Sequence, residues 1–408
     1  MKIKHLVAAS AAALLVACSE APAPETEEAA EPVAASNPIL EEWDTPFGVP
    51  PFDRIESEHY LPAFRAAMEM HAAEIEAITA SADAPTFDNT IEALELSGDK
   101  LSRVRRVFFA VDGANSDDVT KETAKIIAPE LSAHRDNILL NKALFERGLA
   151  VYEQRNDLDL SPEQAHLLDE THKQFVRSGA DLDDEAQARL REINAELAEL
   201  SQQFGDNVLE ETNNFELLVT DRADLGDLPE SLVALAADEA KRRGDDCDEC
   251  WVFTRQRPSI NPFLQYSPNR DMRKQLCDGY AMRADNDNEY DNKAIISRMV
   301  ALRAERSALM GYDNHAAFVL SDNMAETPDN VYNLLNQVWQ PALERAREER
   351  ADMQAMMEAD GIDGRLRGWD WRYYTEKVRK AKYDLDDDAL RPYFEVNAVR
   401  DGVFGLAK

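Results

Sequence analysis

Three carboxylate–imidazole pairs in this chain have a spacing that could do chemistry: Glu56 with His59, Glu163 with His166, and Asp169 with His172. Separation by three residues sets both groups on one helix face, the arrangement used in di-iron bundles, which also need two further Glu-bearing helices facing them. With seven histidines in an acidic chain such pairs arise by accident, so solvated or capping side chains are the default. No His is followed by Glu, and the His-Glu-x-x-His helix that holds zinc between two imidazoles beside a general base is not encoded. Cys247-Asp248-Glu249-Cys250 sits in an acidic run whose charges raise thiol pKa values and oppose redox use. A zinc ribbon would need a fourth ligand, so a small-loop structural disulfide between Cys247 and Cys250 is expected in an oxidising compartment, with Cys277 free or competing for a partner. Arg303, Glu305 and Arg306, and Asp370 amid Trp369, Trp371, Tyr373 and Tyr374, look like substrate clamps, but aromatics at this spacing are expected to pack between helices. No Gly-rich phosphate loop, Gly-x-Ser-x-Gly elbow or reactive Cys–His pairing is present.

The elements that must position these residues are mostly helical. Ala186, Leu190, Ile193, Leu197, Leu200 and Phe204 step by four and three, predicting one apolar stripe opposite Glu192, Glu196 and Glu199. A second helix is predicted through Ile295, Met299, Leu302, Arg306 and Leu309, ending at Gly311 in a left-handed cap. Strand candidates are Phe215 to Thr220 and Trp251 to Arg255, on either side of a helix near Pro229 to Arg243. The expected fold is all-α with a small β insertion around residues 214–256, without the fixed-period repeat of a solenoid. Beyond Pro392-Tyr393-Phe394, the residues Val399, Val403, Phe404 and Leu406 open an amphipathic helix just before Lys408. Apolar side chains there imply missing partners, and hence a truncated reading frame or a fragment.

Charge and the N-terminal region bound the partners. A net charge of −34 repels phosphate backbones, which excludes nucleic acid as a partner, and most of the acidity reads as a solvated surface. Residues 1–17 carry Lys2, Lys4 and His5, then an apolar run from Leu6 to Val16 too short to span a bilayer. Leu15-Val16-Ala17-Cys18 is similar to a bacterial lipobox, which implies lipid modification of Cys18 and an anchor that does not cross the membrane. Ser19 after the Cys favours the periplasmic face of the outer membrane within the cell envelope. Residues 18–38, rich in Pro, Ala and Glu, form an acidic tether, and residues 39–408 form the globular part.

Several blocks in a fixed order carry a resemblance. They are Ile193-Asn194-Ala195-Glu196-Leu197, Arg270-Asp271-Met272-Arg273, the run from Leu302 to Phe318 with Asn323-Met324-Ala325, and Trp371-Arg372-Tyr373-Tyr374 leading to Arg391-Pro392-Tyr393-Phe394. Together they resemble the peptidyl-dipeptidase (dipeptidyl carboxypeptidase) branch of the thimet oligopeptidase family of zinc metallopeptidases, in its N-terminal portion. That resemblance implies an all-α ellipsoid split by a channel, of which this chain is one wall. It also implies one zinc ion, short peptides as substrates with dipeptide release from the C-terminus, and a monomer when complete. The family's zinc-binding part lies beyond the equivalent of Lys408, so no catalytic or metal-ligating residue carries over and the chain alone is expected to be inactive. A rival from another class is a non-catalytic acidic helical lipoprotein that binds peptides or acts as a scaffold.

Overall fold

Short polar residues start most of the helices, because their side chains accept hydrogen bonds from backbone N–H groups that the first turn leaves free. In the computed structural model, residues 37–244, 249–383 and 390–408 are described. Helix α1 (Tyr60–Thr79) is followed by α2 (Asp99–Asn115), α3 (Asp118–Leu139), α4 (Lys142–Glu153), α5 (Pro162–Arg177) and α6 (Asp184–Asn214). Asp117 caps α3 by accepting from Thr120 N–H, Asn141 caps α4, Ser161 caps α5 with Gln164 completing a capping box, and Asp183 caps α6.

Chain connection then passes through strand β1 (Leu217–Val219), α7 (Glu230–Arg243) and β2 (Trp251–Phe253). The strands pair antiparallel with Leu217 opposite Phe253 and Val219 opposite Trp251, within the region expected for the β insertion. Next come α8 (Arg257–Tyr266), α9 (Arg270–Ala281), α10 (Lys293–Leu309), α11 (His315–Leu320), α12 (Pro328–Ala359), α13 (Gly368–Tyr383) and α14 (Val396–Ala407). The protein is therefore all-α with one two-stranded insertion, as the residue pattern requires. No helix among the described residues is long and apolar enough to cross a membrane.

The packing centres among the described residues include four that join these elements. Tyr60 and Phe64 of α1 meet Phe108 of α2 edge to face, with ring centroids 5.1 and 5.2 Å apart, over Val104 and Ile127. Ile193 and Leu197 of α6 pack on Ile295, Met299 and Leu302 of α10. Phe253 of β2 packs tilted against Phe263 of α8, with ring centroids 4.5 Å apart, in a cluster that includes Leu232 of α7 and Leu276 of α9. Met353 and Met357 of α12 close over Leu366 and Tyr374, joining α12 to α13.

Helix α10 ends as predicted. Gly311 takes φ +77°, Gly311 N–H donates to Ala308 O and Tyr312 N–H donates to Ser307 O, the two bonds that finish a helix in a left-handed turn. The α6 stripe departs from expectation at its far end. Leu190, Ile193 and Leu197 are buried, but Phe204 is 37% exposed and the buried positions that follow are Asn207, Glu211 and Thr212. There α6 leaves the apolar seam and enters a polar junction. Glu211 accepts from Arg255, Asn286 and Asn288, while Asn207 donates to Asn292 across 2.9 Å.

Candidate functional site

The three carboxylate–histidine pairs meet different fates. Glu56 N–H donates to His59 Nδ1 at 2.9 Å, which makes this pair a capping box before α1. Glu163 and His166 are both exposed on α5. Asp169 is exposed, while the His172 ring stacks on Tyr152 with centroids 3.8 Å apart; burial, followed by the charge of Arg155, holds its pKa below the usual value. Among the described residues no group of three or more His, Cys, Asp or Glu could hold a metal ion. Two histidines not singled out by spacing do meet: His134 Nε2 lies 3.1 Å from His71 Nδ1, and His71 Nε2 lies 3.2 Å from Ser97 Oγ. Burial depresses both pKa values; the charge of His71 lowers that of His134 further, while Glu74 partly opposes the shift at His71.

Cys250 is disulfide-bonded; Cys247 lies outside the described residues, as does Cys18. Cys277 is free and half-buried, and burial together with Asp278 raises its thiol pKa, the opposite of what a reactive thiol needs.

The suspected clamps resolve into two arrangements. Asp370, completely buried at the start of α13, accepts from Arg270 at 2.9 and 2.7 Å and from Arg273 at 2.9 Å. Arg273, itself 0% exposed, also donates to Ser267 O and Trp369 O and lies 4.2 Å from the Tyr373 ring centroid. Burial alone would raise the Asp370 pKa, but the bonds from the two guanidinium groups outweigh it and the carboxyl is held low. The triad fastens α13 to α9, and Tyr374 beside it is fully buried, so these residues pack the interior. In α10, Glu305 is paired with Arg189 of α6 at 2.6 Å, and Arg303 is exposed. Arg306 turns instead into a cavity of about 520 Å³.

The remaining feature is a wet apolar surface. On α12, Tyr332, Leu335 and Trp339 recur at helical spacing and are 63%, 53% and 61% exposed. On α14, Val396, Val399, Val403, Phe404 and Leu406 are all exposed. Apolar faces of this extent mark surfaces for contact with protein, membrane or ligand. Spacing showed that α14 is amphipathic; only the packing of its neighbours shows that nothing among the described residues covers it.

Residues 263–408 match the model of Peptidase family M3, and the chain belongs to that family, the family of thimet oligopeptidase. Its relatives include the dipeptidyl carboxypeptidase of Escherichia coli, 37% identical over 372 residues that cover 91% of this chain and 54% of the relative. Oligopeptidase A of E. coli is 31% identical over 378 residues, covering 91% of this chain and 54% of that protein. A probable cytosolic oligopeptidase A of Arabidopsis thaliana is 31% identical over 389 residues, 93% and 54% of the two chains. The chain thus spans about half the length of the curated relatives it matches.

Proposed function

We propose that these residues are the N-terminal part of a zinc-dependent peptidase that removes dipeptides from the C-terminus of short peptides. The observation that carries this reading is the identity to dipeptidyl carboxypeptidase across 91% of the chain. In this reading the helices supply one wall of a channel that admits extended peptides and excludes folded proteins. The exposed faces of α12 and α14 are where the rest of a monomeric peptidase packs.

The described residues do not fit the zinc ion that such a peptidase uses. His59 is committed to a helix cap, His172 to an aromatic stack, and His71 and His134 to each other. Burial, followed by the charges of Arg306 and Arg303, lowers the His315 pKa, and those charges oppose a bound cation there. No His-Glu pair exists anywhere in the sequence. No hydrolytic step is therefore routed through these side chains, and we read the 408 residues as inactive by themselves.

The same proposal places the protein in a bacterial envelope, lipid-anchored through Cys18 at the periplasmic face of the outer membrane, with Cys247 and Cys250 joined. The disulfide-bonded state of Cys250 supports an oxidising compartment. The test compares the 408-residue protein with any longer product of the same locus on a blocked tetrapeptide, with zinc and with chelator. Dipeptide release confined to the longer product supports the reading, and a longer product that cleaves nothing overturns it. Labelling with radioactive palmitate in the native host, lost in Cys18→Ala, tests the anchor.

A further inference from the structure

The cavity of about 520 Å³ lies where α3, α5, α6, α10 and α11 converge, and its charges are unevenly satisfied. Four of its charged side chains neutralise one another along one side: Lys173 pairs with Asp322 at 2.8 Å and with Glu170 at 2.7 Å, and Arg177 approaches Asp322 at 3.6 Å. Two groups deeper in the wall are different. Arg306 Nε is buried without a hydrogen-bond partner, and among the described residues no ion pair engages its guanidinium. Asp136 is 7% exposed and accepts only from the Asn194 amide, at 3.0 and 3.2 Å. The two are near enough to feel each other's charge, yet they do not touch.

A desolvated cation and a desolvated anion left apart in one cavity are costly, since each could have closed onto the other or faced water. Phe318 explains why Arg306 stays where it is. Its ring carries Arg306 on one contact, 5.6 Å from the centroid, and Arg177 on another, 4.8 Å from the centroid, while Arg177 donates to Phe318 O at 3.0 Å. Asp136 is likewise held by Asn194 from α6. Burial pushes the Asp136 carboxyl above the usual carboxylate range, as expected of an anion with no cation at contact distance.

We propose that this cavity is a binding site for a small zwitterion carrying both an ammonium and a carboxylate, a free amino acid or a dipeptide. Arg306 takes the carboxylate, Asp136 takes the ammonium, and Leu139, Leu190 and Met310 receive an apolar side chain. A planar guanidinium suits a carboxylate, and in a wall that is mostly polar Arg306 and Asp136 are the buried charges that no ion pair among the described residues engages. None of the residues lining the site belongs to α12 or α14, and the site needs no hydrolysis, so it stands or falls independently of the peptidase reading.

Calorimetric titration of the 408-residue protein tests it with five probes: leucine, leucyl-leucine, N-acetyl-leucine, leucinamide and inorganic phosphate. Saturable binding of leucine or leucyl-leucine is expected, the tighter of the two giving the ligand's length. N-acetyl-leucine and leucinamide, each lacking one charge, should bind at least about tenfold more weakly, the loss expected when one charged hydrogen-bonding partner goes missing. Arg306→Gln and Asp136→Asn should weaken binding by a similar factor while the circular dichroism spectrum is retained. The blocked ligands need no variant, so the test stands even if a substitution unfolds the protein. Phosphate or N-acetyl-leucine binding as tightly as leucine, or no saturable heat from either zwitterion up to about 10 mM, overturns the proposal.

Discussion

The face that α1 turns toward α2 and the face of α12 that carries Trp339 are built alike, yet one is dry and the other wet. Tyr60, Ala63, Phe64 and Ala67 repeat at helical spacing and are at most 2% exposed. Tyr332, Leu335 and Trp339 repeat in the same way and are more than half exposed. Periodicity reports that a helix has an apolar face; it does not report what covers that face. The buried positions of α1, α2, α6 and α10 find partners across their helices, whereas α12, in the C-terminal arm, buries only Met353 and Met357. The arm is held to the body by charge as much as by packing, through Asp370 between Arg270 and Arg273.

That contrast can be broken by substitution. Phe108→Ala removes the ring that Tyr60 and Phe64 both contact, and should cost about 3–5 kcal/mol in a urea unfolding experiment. Asp370→Ala leaves a fully buried Arg273 without its counter-ion, with an expected loss of about 3–5 kcal/mol. A loss below 1 kcal/mol (roughly the worth of a surface pair) would mean that the triad does not anchor the arm.

Acid titration sharpens the same point. The Asp370 pKa is lowered in the folded protein, so its contribution is present above the ordinary carboxylate value and is lost as pH falls through the lower, folded one. His71 and His134 act earlier. Their folded pKa values are lowered, so the unfolded chain binds protons first and stability declines as pH falls below the ordinary His value of about 6.5. Equilibrium unfolding between pH 8 and pH 5 (a window of about three units around that value) should show this slope, and His134→Gln should flatten it. The smallest stability effect belongs to the wet face. Trp339→Ser should change stability by no more than about 0.5 kcal/mol, while lowering the binding of a hydrophobic dye.

Much of the body was legible in the sequence. The α6 and α10 stripes meet as their spacing implies, Gly311 ends α10, and the two strand candidates pair with each other. These features rest on local rules: period, cap and turn. The Arg270–Asp370 contact joins residues one hundred positions apart, and nothing in local spacing says which buried charge meets which. The Arg270-Asp271-Met272-Arg273 block and Asp370 each stand out in the sequence, but only packing of α13 on α8 and α9 brings them together. The Arg306 cavity was out of reach for the same reason, since five helices must converge before Asp136 and Arg306 share a wall. Phe204 misled because helical spacing continues after the neighbouring helix has moved away.

The most direct test of the division between wall and chemistry is to incubate the purified 408-residue protein with one equivalent of zinc and a blocked tetrapeptide, and to follow the products by mass spectrometry. Intact substrate after prolonged incubation is the predicted result. Release of a C-terminal dipeptide that stops when a chelator is added would contradict it.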